Sequence, residues 1–479
     1  MNDSKKQASP ILSYLLVLAM FLLAIAIFIY HSPFRESAPH EAPSAFDSLV
    51  YDKWGKYPSQ LPLEHLIILT PHNVQTRENF GDAFFRYYAL EHGKRILIWW
   101  QSTRGSNAIL EYIPTEPSKE SSIKADVIFG GGQYVFEKLA EAGRLAPLEL
   151  PEEVLAEIPS RINSLDIIDP QRRWCCNVLS SFGFLYNKQK IEEINLTTLT
   201  TWNDLASPLL FDNIILADPS VSGSTMMAFE MVLQSGPDWP SGWESLLSIL
   251  SNTRSFVSNS DDAANAPLFD QAAATICIDF FGISRAVLQP NKLVFVSPKG
   301  ETVFTPDPIA ILKNAPNPEA AKAFVSFLLS INGQKLWGLD KTADDSPSLS
   351  ALYRSPVRKD FYTEFSNELP QWTLNPYESG SHMDFDPELR SVRYPVLIEL
   401  IKAAVIDNFE PMKVARKKMI EQKVDFASMQ WLPENVDTLE EIRGLSVRFK
   451  DLQEKELITA AWHDFYKQKY QHVLESSPN

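Results

Sequence analysis

Apolar runs of strand length alternate along this chain with segments of helical periodicity, which predicts an α/β fold. Two turns rich in glycine or serine, Gly130–Gly132 and Ser222–Thr225, each join a strand pattern to a helix pattern. They lie far apart in the chain, which points to two lobes that share a cleft. A long uncharged run near the N-terminus and a helical stretch beyond residue 383 flank this α/β body.

Taken in order, the first feature is the twenty-residue run Ile11–Tyr30, which carries no charge. At about 1.5 Å per residue a helix of that length spans a hydrocarbon core of roughly 30 Å. Lys5 and Lys6 precede it, so the positive-inside bias keeps the N-terminus cytoplasmic and sends the rest outward. A cleaved signal peptide is the alternative, but the run ends in Ile29, Tyr30 and His31 without a small-x-small site. No lipoprotein-type cysteine follows. Residues 31–62 are rich in Pro, Ser and charge and read as a solvated tether.

About 420 residues remain, enough for two or three lobes with a large core. Their composition, 45% hydrophobic and 22% charged, is that of an ordinary globular protein. A net charge of −16 and the lack of a basic stripe exclude nucleic acid as a partner. The three cysteines, Cys175, Cys176 and Cys277, form no CxxC pair, so a structural zinc site is not expected. Cys277 reads as a small buried hydrophobe, and a bridge from it to either neighbour stays open.

Leu66–Leu69 reads as a strand, followed by a turn at Thr70-Pro71-His72 and a helix from about Arg77 to His92. Arg95–Trp99 and Val127–Phe129 are the next strands. This alternation implies a mostly parallel sheet covered on both faces, with ligands beyond the carboxyl ends of the strands. Three segments fall there: Thr70–Asn73, Gln101–Ser106 and Gly130–Gln133. Glycines between a strand and a helix let a ligand approach the backbone beside outward-pointing amides. The spacing matches neither GxGxxG nor GxxxxGK[ST], so the site is not built for a nucleotide. A tight turn with no ligand explains the glycines equally well.

A second lobe begins after Ser180. Ser180–Lys188 is a strand running into a turn, TWNDL opens a helix at Thr201, and Asn213–Ala217 is another strand. The following DPSVSGSTMMAFEMVLQ places Ser222, Gly223, Ser224 and Thr225 at a helix start. Hydroxyls and free amides there make an anion cradle, or simply an N-cap.

At this point the residues carry a resemblance. Thr70-Pro71-His72, Gly130–Gly132, SSFGFLYN, DPSVSGST, AATICIDFFG and FTPDPIAILKNAPNPEAAKAFVSFLLSINGQKLW occur in an order that resembles the extracellular solute-binding proteins of ABC transporters. The closest branch looks like the type 2 periplasmic-binding fold of ferric-iron, phosphonate and sugar-phosphate binders, over about Leu66 to Tyr362. The resemblance implies two α/β lobes joined by crossing strands and a cleft that closes on a small-molecule solute. It also implies delivery to an ABC transporter permease, with no catalytic residues and no cofactor. On matching positions it places His72, Asn73, Gly131, Gly132 and Gln133 in the cleft from the first lobe. From the second it places Ser222, Gly223, Ser224 and Thr225, with Asp279 near the hinge. Ser258 and Ser260 lie where the family presents a polar loop.

Iron binders of this superfamily place adjacent tyrosines after the strand that aligns with Thr275–Ile278. This chain has Asp279-Phe280-Phe281-Gly282 there, and phenylalanine offers no oxygen to a hard cation. The cargo expected is therefore an anion or polyol, such as a phosphonate or sugar phosphate, ahead of ferric iron, and no metal site is expected. Enzyme signatures are missing: VSGST is not GxSxG, and no HExxH occurs. The alternative to an importer component is a membrane-anchored solute sensor or accessory protein that acts through a partner.

The expected organisation is a cytoplasmic N-terminus over 1–10, a transmembrane anchor over 11–30 and a linker over 31–62. The two-lobed domain covers 63–383, with the second lobe at about 181–290, and a helical extension covers 384–479. The soluble part belongs in the periplasm, on a single pass through the inner membrane. In the extension, Val396, Leu397, Leu400, Ile401 and Val405 recur at helical spacing. The stretch from Leu439 to Tyr470 reads as long and amphipathic, with Ile442, Leu445, Phe449, Leu452, Leu457 and Ile458 near one side. These helices are expected to pack on the second lobe, with a partner-docking arm as the alternative.

Overall fold

The computed structural model describes residues 44–106, 108–116, 118–340, 350–378, 382–426 and 429–476. The expected anchor, Ile11–Tyr30, lies outside them. Among the described residues no helix is long and apolar enough to cross a membrane. The chain divides into two units, Met1–Gln60 and Leu61–Asn479.

In the first unit, part of the expected tether is a helix, Ala45–Trp54. Its start is fixed by a capping box. Ser44 Oγ accepts from the Asp47 amide at 3.1 Å, and the Asp47 carboxylate accepts from the Ser44 amide at 3.1 Å. Gly55, with φ 65°, ends it.

The second unit opens with β1 (Leu63–Thr70), β2 (Arg95–Ser102) and β3 (Val127–Phe129). A short hairpin follows, β4 (Arg161–Ile162) with β5 (Leu165–Asp166), and then β6 (Cys175–Ser180) and β7 (Phe182–Asn187). The remaining strands are β8 (Ile214–Ala217), β9 (Thr253–Val257), β10 (Ala274–Ile278), β11 (Leu293–Val296), β12 (Thr305–Ile311) and β13 (Ser355–Pro356). Six strands form one sheet in the order β13-β6-β12-β3-β1-β2, and five form another in the order β11-β7-β10-β8-β9.

Neither sheet is mostly parallel, which corrects the expectation. β1 pairs parallel with β2 and β3, but β12 runs antiparallel to β3 and β6. In the second sheet β8 is parallel to β9 and β10, while β7 is antiparallel to β10 and β11. The reversed strands are those that carry the chain between sheets. Only Ser181 separates β6 from β7, and residues 297–304 bring the chain back from β11 to β12. The two crossings touch: Thr302 Oγ1 donates to the Phe182 carbonyl at 2.9 Å.

Each sheet is covered by helices whose apolar stripes fill a core. On the first, the helices Val74–His92 and Pro318–Leu329 bring Phe84 and Phe324 together at 5.0 Å between ring centroids. On the second, Phe184, Trp202 and Trp243 belong to a core that continues into Trp431, Tyr466 and Tyr470 of the extension. Indole groups are satisfied across that join: buried Trp243 Nε1 donates to the Trp431 carbonyl at 3.3 Å, and half-buried Trp239 Nε1 to that of Val436 at 2.6 Å. The extension thus packs on the second lobe through the helices Pro387–Ile401, Phe409–Gln422, Leu439–Arg448 and Leu452–Glu475.

The last amphipathic stretch is broken, contrary to expectation. Asp451 caps a new helix, accepting from the Gln453 amide at 2.9 Å, and the apolar register restarts. Ile442 and Leu445 are buried, but Leu452 and Leu457 are 74% and 73% exposed; Trp462, Tyr466 and Tyr470 face the core instead.

Candidate functional site

The carboxyl ends of β1, β2, β3, β8, β9 and β10 all open onto one cavity of about 390 Å³, walled by residues from both lobes. Open α/β sheets place ligands at such strand ends, because helix N-termini and loop amides gather there. His72 and Asn73 follow β1, Arg104 follows β2, and Gly131, Gly132 and Gln133 follow β3. Ser222, Gly223 and Ser224 follow β8, Ser258 and Ser260 follow β9, and Phe280 and Phe281 follow β10. All of these line the cavity.

The three glycines are dictated by backbone and space. Gly130, Gly131 and Gly132 have φ of 77°, 129° and 74°, and a Cβ on Gly130 would lie 2.4 Å from His72 Nε2. Their amides were expected to offer a solute an anion grip. Instead, Asp307 Oδ1 accepts from Gly131 N at 2.8 Å and from Gly132 N at 3.3 Å. An internal carboxylate occupies the nest. Arg354 Nη2 meets the other oxygen of Asp307 at 2.8 Å and donates to Ser180 Oγ at 2.7 Å. The Arg354 guanidinium lies 4.8 Å from the Phe280 ring centre and 5.2 Å from that of Trp337. Burial by itself would raise the Asp307 carboxyl, but Arg354 and the glycine amides hold it below the usual carboxylate range.

His72 sits edge-on to Phe129 at 4.5 Å, with Nε2 3.8 Å from Asp307 Oδ2 and without a hydrogen-bond partner. Burial pushes its imidazole down to about 4, against the pull of Asp307. It is neutral at neutral pH. Asn73 caps the next helix, accepting from the Thr76 amide at 2.9 Å.

In the second lobe two helix starts converge. Ser222 Oγ caps the helix Gly223–Ser235, accepting from the Thr225 amide at 3.3 Å, and Asn259 caps the helix Ser260–Leu268. The hydroxyls of Ser222 and Ser260 lie 2.7 Å apart, those of Ser224 and Ser260 2.8 Å, and those of Ser222 and Ser224 3.2 Å. Three rotatable donors at two positive dipole ends form a cluster suited to oxyanions.

Two expected residues do not line the cavity. Thr225 is turned into the lobe, its Oγ1 donating to Ser222 Oγ at 2.8 Å. Asp279 is buried at the hinge, where its carboxylate accepts from the amides of Ser181 at 2.7 Å and Phe280 at 2.8 Å. Burial pushes its carboxyl up to about 7. It ties β10 to the crossing strand.

Arg104 lies in the expected segment Gln101–Ser106, whereas Asp307, Arg354, Phe385, Arg390 and Tyr394 line the cavity and were not anticipated. Asp307 carried a signal, a carboxylate between two prolines inside an apolar strand. Arg354 carried none. Arg390 and Tyr394 belong to the extension, whose pattern spoke of packing or docking and not of a solute site. Phe280 and Phe281 give the wall aromatic faces without oxygen ligands. Among the described residues no three His, Cys, Asp or Glu side chains are grouped to hold a metal. All three cysteines are buried and unbridged.

Residues 122–360 match the family model described as bacterial extracellular solute-binding protein. The phosphoglycerate transport regulatory protein PgtC of Salmonella typhimurium is 26% identical over 244 residues, 50% of this chain and 58% of that protein. The chain thus spans less than two thirds of that relative. Among solved structures, the periplasmic binding protein AfuA from Actinobacillus pleuropneumoniae, with fructose-6-phosphate bound, has a TM-score of 0.57 at 20% identity. The match covers 71% of this chain and 97% of AfuA. The periplasmic binding protein P5PA has a TM-score of 0.56 at 20% identity, covering 70% and 98%. Iron-bound HitA from Pseudomonas aeruginosa has a TM-score of 0.50 at 20% identity, covering 68% and 94%. At such identities the structural likeness establishes the fold alone.

Proposed function

Because this chain belongs to the bacterial extracellular solute-binding proteins and has their type 2 fold, we propose that it captures a small phosphorylated solute between its lobes and delivers it to an ABC-type permease. Proteins of this family and fold bind solutes and are not enzymes, and a transporter is their partner. The observation that carries the solute class is the serine cluster, with Ser222, Ser224 and Ser260 within 3.2 Å of one another at two helix starts. Phosphate oxygens accept such donors, and the cavity volume suits a phosphorylated metabolite of a few carbons. The ligand in AfuA is a sugar phosphate, and the name of PgtC refers to phosphoglycerate; both agree with this class. Iron, the ligand in HitA, fits less well, because Phe280 and Phe281 supply no oxygen.

The run Ile11–Tyr30 supports an inner-membrane anchor that leaves the solute-binding domain, about 63–383, in the periplasm. Tethering raises the effective concentration of a binding protein at its permease. A second reading, a solute sensor acting through a partner, has the name of PgtC in its favour, since that protein is called a regulator of transport.

The test is titration of the full chain with 3-phosphoglycerate, fructose 6-phosphate, inorganic phosphate and ferric citrate. A solute at 100 times its Kd adds about 2.7 kcal/mol of stability, readily seen as a thermal shift. Ser224→Ala combined with Ser260→Ala should weaken the phosphorylated ligand about tenfold or more, since hydrogen bonds to charged groups are the strong ones. Unchanged affinity in that double variant would remove the serine cluster from the site. Loss of solute uptake on deleting the chain supports delivery, whereas uptake that persists with altered transporter expression supports the sensor.

A further inference from the structure

Arg390 and Tyr394 reach the cavity from the helix Pro387–Ile401, which belongs to the C-terminal extension. That helix is fastened to the second lobe. Its Arg393 pairs with buried Glu230, Nε donating to Oε1 at 3.1 Å, and Val396, Leu397 and Leu400 join the second core. Tyr134 arrives from the other lobe, on the helix Gln133–Glu141 that follows the glycine turn. The rings of Tyr134 and Tyr394 stack at 26° with centroids 5.1 Å apart. The Arg390 guanidinium carbon lies 5.9 Å from the centre of the first and 5.7 Å from that of the second.

Three arginines line the cavity, and they are not equivalent. Arg354 is already paired with Asp307. Arg104 is exposed, on the loop after β2. Arg390 is half-buried; among the described residues its guanidinium makes no hydrogen bond, and the carboxylate whose charge acts on it, that of Glu137, lies beyond ion-pair distance. A planar guanidinium held against two aromatic faces loses rotational freedom while its N–H fork stays free, which is the arrangement that recognises phosphate and carboxylate.

We infer that Arg390 is the charge-recognising side chain of the solute site, and that the Tyr134–Tyr394 stack is the clasp that holds it across the two lobes. The C-terminal extension is then a wall of the binding site. This inference rests on the cavity between the lobes being the place where an anionic solute binds.

The experiment is calorimetric titration of the full chain with 3-phosphoglycerate, fructose 6-phosphate and inorganic phosphate. Wild type is compared with Arg390→Ala, Arg390→Lys and Tyr394→Ala. Arg390→Ala should weaken the tightest of these probes by about tenfold to a hundredfold and flatten the salt dependence of its Kd. Arg390→Lys should recover only part, because an ammonium lacks the planar fork. Tyr394→Ala should fall between. Unliganded melting temperatures, measured in parallel, report whether packing has changed; Arg390→Gln, which keeps length and loses charge, replaces the alanine variant if that one melts lower. Affinity within twofold of wild type in the uncharged variant would overturn the role of the extension and leave the cavity reading standing. Failure of wild type to bind any of the three probes at millimolar concentration would overturn both.

Discussion

His72 shows how one side chain can couple the cleft to pH. It is enclosed by Phe129 and Trp337, faces Asp307 at 3.8 Å, and feels the positive charges of Arg354 and Arg77. Burial, the largest influence, lowers its folded pKa to about 4, while in the unfolded chain it titrates near 6.5. As pH falls below about 6.5 the unfolded chain takes up a proton that the folded chain refuses. Stability attached to His72 is therefore full above about 6.5 and lost progressively down to about 4, by at most roughly 3 kcal/mol. Asp307, held below the usual carboxylate range, acts in the same sense at lower pH: its contribution disappears as pH falls through its depressed folded value. Asp279 acts in the opposite sense. Its carboxyl, pushed up to about 7, keeps a proton that the unfolded chain has lost, so its contribution declines as pH rises from about 4 to about 7. His72→Leu removes one arm of this balance and leaves the others. Between pH 7 and pH 5 the variant should lose less stability than wild type, or gain some, as measured by urea midpoints at the two values. Parallel pH responses in the two proteins would mean that His72 is not buried and neutral.

At the level of elements, the docking of the helix Pro387–Ile401 rests on a buried charge pair within apolar packing. Glu230 Oε1 accepts from Arg393 and also from Gln234 Nε2 at 2.8 Å, and both charged residues are almost fully buried. Arg393→Ala should cost about 3–5 kcal/mol, because Glu230 is left charged in the core. Replacing both partners, Glu230→Leu with Arg393→Met, should recover most of that loss in a double-mutant cycle of denaturation midpoints. This pair was not legible in the sequence, since its members are separated by 163 residues and each sits in an otherwise ordinary helix. What was legible was local. Val127–Phe129 followed by three glycines is a strand and a tight turn by apolarity and φ alone, and Ser222 is a helix cap by its chemistry. Local pattern gave only half of the serine cluster; Ser260, which joins Ser222 across 38 residues, came from the family resemblance alone. The glycine amides illustrate the same limit. The turn left open whether a ligand or nothing meets them, and the carboxylate that fills them comes from Asp307, 176 residues away from Gly131. Local rules place donors; only the tertiary fold decides what they hold.

For the whole molecule, the same reasoning makes the extension indispensable to the second lobe. Trp243 and Trp202 from the lobe share one continuous core with Trp431, Tyr466, Tyr470, Leu400, Ile401 and Met412 from the extension. Burying each such side chain stabilises by roughly 1.5–3 kcal/mol, so the extension's share is comparable to the whole 5–15 kcal/mol of a typical domain. Its removal also strips acceptors from two indoles: half-buried Trp239 Nε1 loses the Val436 carbonyl, and buried Trp243 Nε1 loses that of Trp431 at 3.3 Å. A chain ended before Asp384 should therefore be recovered mainly as aggregate, and any soluble fraction should melt without a cooperative transition. The measurements are soluble yield and the sharpness of the melting curve, set beside the full chain at equal concentration. The first sheet offers an internal control. Its core, built on Phe84, Phe129, Phe324 and Trp337, contains among the described residues none from beyond Asp384, so a residual transition would report that lobe alone. A truncated chain that melts as one unit and binds solute with full affinity would mean that the second lobe folds without its helical cover. The cavity wall carrying Arg390 and Tyr394 would then be dispensable as well.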